Sequence, residues 1–288
     1  MSTASSPLII IIDLDGTIIG DISPQIMTFD LSKNFKMAGY KFSHDLADLR
    51  SKLKNGLVRP FFAEFISSIS KTMPVEFFVY TASEKSWAEL VIKNIEASHN
   101  IRFNRPIFSR QYCIYSDKDK EYKKSLSLIR PTIIRFLKRK YHITFNKQDL
   151  EKSIMIVDNT NVYHSNDQKH LLLCPTYNYR IPENLVSFIK LDQYKKHYMI
   201  INNTLNKYMS LSNTSDYTTF ERDFYRYYLS FLDTQIKNNM RYSHDRFWMY
   251  LRDIIMTKNI RRFDETSLKY IRNKIGLTHR SSKPQSFF

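Results

Sequence analysis

At 288 residues, 42% hydrophobic and 14% aromatic, the chain has the composition of a folded globular protein, which excludes an intrinsically disordered one. Its 44 Lys and Arg against 28 Asp and Glu, a net charge of +16, point to a polyanionic partner such as nucleic acid, a phosphorylated polypeptide or an acidic membrane surface. No apolar run reaches the roughly 20 residues that span a bilayer, the N-terminal residues lack a basic n-region, and two cysteines make no disulfide framework. An intracellular location, cytoplasmic or nuclear, is therefore expected, and neither secretion nor a membrane.

The stretch 8–20, LIIIIDLDGTIIG, opens with aliphatic residues and stops at Asp13-Leu14-Asp15-Gly16-Thr17. A continuous apolar run ended by turn residues reads as a buried strand of a parallel sheet. Two residues apart, Asp13 and Asp15 are expected on one face at the carboxyl edge, where open α/β sheets bind ligands. Such a pair suits phosphoryl transfer: one carboxylate attacks phosphorus, the other protonates the leaving alkoxide and later deprotonates water. A carboxylate approaching a phosphate needs Mg²⁺ and a cation beside it.

Residues 21–55 read as irregular and polar, save a helical pattern at 45–54 (Leu46, Leu49, Leu53) with Ser43 as its cap. Arg59-Pro60 precedes an amphipathic run at 61–69, with Pro60 suited to a first helical turn. A β-branched and aromatic strand at 75–80 then ends in Thr81-Ala82-Ser83 before a helix at 84–97. Thr81 and the neighbouring amides suit a phosphoryl oxygen; Thr81 and Ser83 as helix caps are an equal alternative.

The segment 116–128 carries Lys118, Lys120, Lys123 and Lys124, most of them expected on a solvated face. A helix is expected at 132–141, closing on Lys138-Arg139-Lys140 as the macrodipole favours. A third apolar strand, 153–157, delivers Asp158 and Asn159, hard oxygen ligands suited to Mg²⁺, and a fourth is expected at 170–173.

Taken in order, Asp13-x-Asp15-Gly16-Thr17, Thr81, a lysine and Asp158-Asn159 resemble the four motifs of the haloacid-dehalogenase (HAD) superfamily. Finer features are similar to the FCP/SCP (NIF/Dullard) branch of RNA polymerase II C-terminal-domain phosphatases: Val58-Arg59-Pro60, Val79-Tyr80-Thr81-Ala82-Ser83, Ser109-Arg110-x-x-Cys113, Tyr122-Lys123-Lys124-Ser125-Leu126 and Val157-Asp158-Asn159-Thr160. The resemblance covers roughly residues 7–190, and in composition the chain also resembles the phosphatase-like proteins of large DNA viruses. It implies an α/β fold, a HAD-like Rossmannoid parallel sheet with helices on both faces. It also implies Asp13 as nucleophile, Asp15 as general acid/base, phosphate binding by Thr81, Ser83 and Lys124, and Mg²⁺ held by Asp13, Asp15, Asp158 and Asn159. Lys124 is preferred to its neighbours because Tyr-x-Lys-x-Leu matches the family spacing. Three departures stand out: Gly16 where the branch has Glu, an insertion at about 130–148, and Asn161 where the family often has Pro.

Beyond 190 no motif occurs. Helices are expected at 185–208 and 218–239, the second with a Thr218-x-x-Glu221 capping box, and a third after Ser243 containing Phe247, Trp248, Leu251, Ile254 and Ile255. Residues 191–288 hold 17 Lys and Arg against 9 Asp and Glu. The expected organisation is a catalytic domain at 1–190, a basic all-helical C-terminal extension at 191–277 and a disordered tail at 278–288. Function narrows to a protein phosphoserine/phosphothreonine phosphatase, plausibly acting on the polymerase tail, with two alternatives: a nucleic-acid 3′-phosphatase engaging its substrate through the basic surface, and a catalytically silent scaffold. Retention of the motif residues disfavours the scaffold.

Overall fold

The aliphatic run Leu8–Ile12 forms strand β1, every residue of it buried, because strands pair with it in parallel on both sides. The computed structural model describes residues 7–40, 47–142, 147–181, 185, 195–208 and 216–281. In chain order the remaining elements are α1 (Ser23–Met37), α2 (Ala47–Lys52), α3 (Phe62–Thr72), β2 (Val75–Val79), α4 (Lys85–His99), β3 (Ile114–Ser116), β4 (Glu121–Lys123), α5 (Leu126–Tyr141), α6 (Lys147–Glu151), β5 (Ile154–Asp158), β6 (Leu171–Leu173), α7 (Tyr198–Leu205), α8 (Tyr217–Tyr242), α9 (Phe247–Thr257) and α10 (Glu265–Ser281). They fall into two compact units, one of Met1–Ile18, Val58–Tyr177 and Asp245–Phe288, the other of Ile19–Leu57 and Asn178–His244.

The first unit holds a four-stranded sheet of order β2-β1-β5-β6, parallel throughout. Register aligns Ile11 with Phe78 and Ile156, and Ile9 with Ile154. That layer packs against Leu126, Ile129, Ile133 and Leu137 of α5. The alternate layer includes Phe77, whose ring meets Phe65 of α3 edge-on, while Trp248 of α9 sits 4.8–4.9 Å from Phe62 and Phe65. Helices therefore cover both faces, as crossover connections require. A separate two-stranded antiparallel hairpin, β3–β4, leads into Lys124.

The second unit is helical. Met27, Leu31 and Phe35 of α1 pack with Ile201 and Leu205 of α7 and Phe220, Phe224 and Tyr228 of α8.

Several local expectations change. Residues 23–37, read as irregular, form α1, whose apolar stripe is narrow and whose start is marked by Pro24. Helix α5 begins at Leu126, and Pro131 lies inside it; its first turn is held by Ser125 and by Asp167, which accepts from the Leu126 amide at 2.9 Å. Helix α8 is capped by Asp216, which accepts from the Thr219 amide at 2.8 Å, in place of a Thr218 box. Ser243 ends α8, and Asp245 accepts from the Phe247 amide at 3.1 Å to start α9. No division falls at 190: α9 packs on α3, so the last two helices share the core of the sheet-bearing unit. Helix α10 runs to Ser281, inside the segment expected as a tail, and 282–288 lie outside the described residues. So do Ser43, the start of the 45–54 helix, and 186–194 of the expected 185–208 helix.

Candidate active site

Strands β1, β2 and β5 end side by side, which brings Asp13, Thr81 and Asp158 to one sheet edge. The Asp13 amide donates to Val157 at 2.9 Å and the Tyr80 amide to Ile12 at 3.0 Å, carrying the ladder one residue past the strands. Lys124 reaches this edge from β4. Its backbone pairs in parallel with Tyr163, its amide donating to Val162 at 2.9 Å and its carbonyl accepting from His164 at 3.2 Å. Of the four clustered lysines, Lys118 and Lys120 are exposed and Lys123 pairs with Asp119 at 3.4 Å, whereas Lys124 is only 2% exposed.

Lys124 Nζ donates to Asp13 Oδ1 at 2.5 Å and to Asp158 Oδ2 at 2.7 Å. Asp158 Oδ1 accepts from the amide and hydroxyl of Thr160 at 2.8 and 2.9 Å. Burial would pull the lysine ammonium down, but the Asp13 and Asp158 charges outweigh it and hold it well above its ordinary value. Burial, then the Asp158 charge, pushes Asp13 up to about 8, with Lys124 pulling the other way. One ammonium thus faces two buried carboxylates, a charge deficit that a further cation would relieve.

The donors here suit a hard cation. Asp13 Oδ2 has no protein hydrogen-bond partner among the described residues, and Asn159 Oδ1 accepts only from the Thr17 hydroxyl, at 3.2 Å. Two carboxylates plus neutral oxygens are the sparse set that Mg²⁺ takes while retaining waters. Among the described residues no group of three or more His, Cys, Asp or Glu side chains is placed to hold a metal ion.

Asp15 engages hydroxyl donors on the loop after β2. Strand β1 ends at Ile12 and the chain turns, the Ile18 amide donating to Leu14 at 3.0 Å, so the alternation of a strand does not extend to Asp15. Asp15 Oδ2 accepts from Ser83 Oγ at 2.7 Å and Thr81 Oγ1 at 3.2 Å. Neither hydroxyl caps α4, whose N-cap is Glu84 without a side-chain bond. Thr81 and Ser83 are therefore coupled to the second aspartate. Arg110, quoted above only as part of a motif, closes the same loop: its Nε donates to the Ala82 carbonyl at 2.8 Å, and its guanidinium stacks 5.0 Å from the Tyr122 ring.

Gly16 adopts φ +75°, and a Cβ there would lie 2.6 Å from Asn159 Nδ2. The positive φ favours glycine, and a Cβ would oblige the Asn159 side-chain amide to shift. Thr17 Oγ1 donates to Asn159 Oδ1 and accepts from the Asn159 amide at 3.1 Å, tying β1's turn to β5's.

Behind Thr17 lies a set of residues that sequence reasoning did not place. Cys174 Sγ is 3.7 Å from Thr17 Oγ1 and 3.6 Å from Arg59; burial pushes the thiol up to about 11, so it stays protonated. Arg59, 1% exposed, makes a two-pronged pair with Asp245 at 2.9 and 2.8 Å and lies over the Phe247 ring at 4.7 Å. Trp248 Nε1 donates to the Thr17 carbonyl at 3.4 Å. The start of α9 is thus bound to the turn that presents Asp13 and Asp15. In the sequence Arg59 stood out only within Val58-Arg59-Pro60, with no hint of its partner 186 residues away.

Parallel strands that end in Asp-x-Asp, Thr and Asp-Asn, with a buried lysine between the first and last carboxylates, define a HAD-type phosphatase site. The chain belongs to the NLI interacting factor-like phosphatase family, whose model matches residues 8–203. The fission yeast RNA polymerase II CTD phosphatase Fcp1, in a beryllium fluoride complex, is similar at 14% identity and a TM-score of 0.45 over 98% of this chain and 68% of that one. A second structure of Fcp1, an essential RNA polymerase II CTD phosphatase, is similar at 15% identity and a TM-score of 0.37, over 88% and 67%. No curated protein matches the sequence. Among the described residues no helix is long and apolar enough to cross a membrane.

Proposed function

We propose that this phosphatase is Mg²⁺-dependent, passes the phosphoryl group through the Asp13 carboxylate, and acts on phosphoserine or phosphothreonine in a polypeptide, the RNA polymerase II C-terminal domain being the candidate. One observation carries the reading. Asp13 stands at the end of a buried strand with one oxygen on Lys124 and the other free of protein donors among the described residues. Asp13 Oδ2 attacks phosphorus as the seryl C–O–P bridge breaks on its phosphorus side. Asp15, oriented by Ser83 and Thr81, gives its proton to the departing alkoxide; it then takes one from the water that attacks phosphorus and frees phosphate from Asp13. Lys124 offsets charge on the phosphoryl oxygens. Asp13, Asp158, Asn159 and the Asp15 carbonyl would hold Mg²⁺, which when bound neutralises the phosphate and keeps Asp13 ionised. The net charge of +16 supports an extended anionic substrate.

The test offers a phosphoserine heptapeptide of polymerase-tail sequence and a 3′-phosphorylated oligonucleotide in parallel, with Mg²⁺ or with chelator. Turnover of the peptide, dependent on Mg²⁺ and reduced at least about a thousandfold in Asp13→Asn, is the expected result. Preference for the oligonucleotide assigns the nucleic-acid 3′-phosphatase instead. Turnover of neither, nor of an aryl phosphate, returns the fold to a silent scaffold.

A further inference from the structure

An ammonium has three N–H donors, and Lys124 hydrogen-bonds only Asp13 and Asp158 among the described residues. At 2% exposure the third donor is shut off from bulk water. What surrounds it is aromatic: the Tyr163 ring lies 5.6 Å and the Tyr80 ring 5.7 Å from Nζ, and the two rings meet edge to face at 84° with centroids 6.1 Å apart. Both distances fall within the range where a ring's negative face attracts a cation, and the attraction is strongest in a desolvated site.

We infer that Tyr163 and Tyr80 form a cation–π box that positions Lys124, holding the ammonium against Asp13, the carboxylate that receives the phosphoryl group, and Asp158. This rests on Lys124 as the group that offsets phosphoryl charge. The two walls are fixed differently. Tyr80 is locked through its hydroxyl, which donates to the Tyr112 carbonyl at 2.6 Å and accepts from the Ser125 amide at 3.1 Å. Tyr163 is fixed through its backbone, in register with Lys124 itself. Its buried hydroxyl has no protein partner among the described residues. The site uses the ring of Tyr163, and that separates it from Tyr80, whose hydroxyl is structural.

Ring electronics test this without changing shape. Tyr163 is replaced by phenylalanine and then, by site-specific incorporation, by phenylalanines carrying successively more ring fluorines, which weaken the negative face at nearly constant volume. Tyr163→Phe should hydrolyse an aryl phosphate within about twofold of wild type, because only an unpartnered hydroxyl is lost. Along the fluorinated series kcat/KM should fall in rank order, by about tenfold in total, with Tm unmoved. A flat series overturns the box and makes Tyr163 a filler of volume. A large loss in Tyr163→Phe also overturns it, by making the hydroxyl the working group. Lys124→Met, assayed beside the series, keeps the premise separate: full activity there removes the lysine's role whatever the rings do.

Discussion

Arg59 and Asp245 give the sharpest quantitative prediction, because the pair is buried on one side only: the arginine side chain is 0% exposed and the aspartate 14%. Asp245→Ala leaves a guanidinium in an apolar site with Cys174, Tyr177 and the Phe247 ring as neighbours. Breaking one partner of such a pair costs about 3–5 kcal/mol. The same change removes the acceptor of the Phe247 amide at the start of α9. Arg59→Met removes the buried charge together with its need for a partner, fills most of the volume, and leaves Asp245 able to reach solvent and keep its bond from the Phe247 amide. It should cost only about 1–2 kcal/mol. Combined in one chain, the two changes should destabilise much less than the sum of the singles, since the methionine removes the charge that Asp245→Ala strands. In thermal unfolding followed by circular dichroism, Asp245→Ala should melt roughly 10 °C below wild type, Arg59→Met a few degrees below, and the double variant well above Asp245→Ala. If Asp245→Ala melts within about 2 °C of wild type, or if the double loss equals the sum, the pair is not what binds α9 to the sheet.

Two further outcomes follow from the site. Gly16→Ala should lose at least about tenfold in activity on an aryl phosphate and about 1–3 kcal/mol in stability, because its Cβ meets Asn159 at 2.6 Å; unchanged kinetics would mean that the Asn159 amide moves freely. With chelator present, the folded protein should retain a proton on Asp13 up to about pH 8, whereas the unfolded chain releases it near pH 4. Stability should then fall as pH rises from about 5 to 7, by on the order of 2 kcal/mol, and urea melts of Asp13→Asn should lack that part of the slope; identical slopes in the two proteins would contradict the assignment.

The sheet edge that gathers Asp13, Thr81 and Asp158 was legible because its determinants are local. Leu8–Ile12 and Ile154–Asp158 are short apolar runs that only a sheet interior accommodates, and turn residues follow each at once. Val75–Val79, with Glu76 within it, read as a strand from its β-branched and aromatic residues, and a polar segment follows. Lys124 was separable from Lys118, Lys120 and Lys123 by family spacing alone. Only the tertiary pairing of its backbone with Tyr163, just past the hairpin β3–β4, fixes that lysine at the sheet edge. Helix α1 escaped because Met27, Leu31 and Phe35 make too thin a stripe to distinguish from a polar loop until α7 and α8 cover it.

Sequence by itself therefore determined the parallel sheet, the strand ends and the residue types brought to them, since hydrophobic period and turn chemistry act over a few residues. Tertiary structure alone decided the partners: Asp15 with Ser83 and Thr81, Lys124 between two carboxylates and two rings, Arg59 with Asp245. These contacts join residues 34 to 186 positions apart. Burial, through desolvation of the charges it encloses, sets their protonation and their strength. No local pattern records which distant groups will share a buried site.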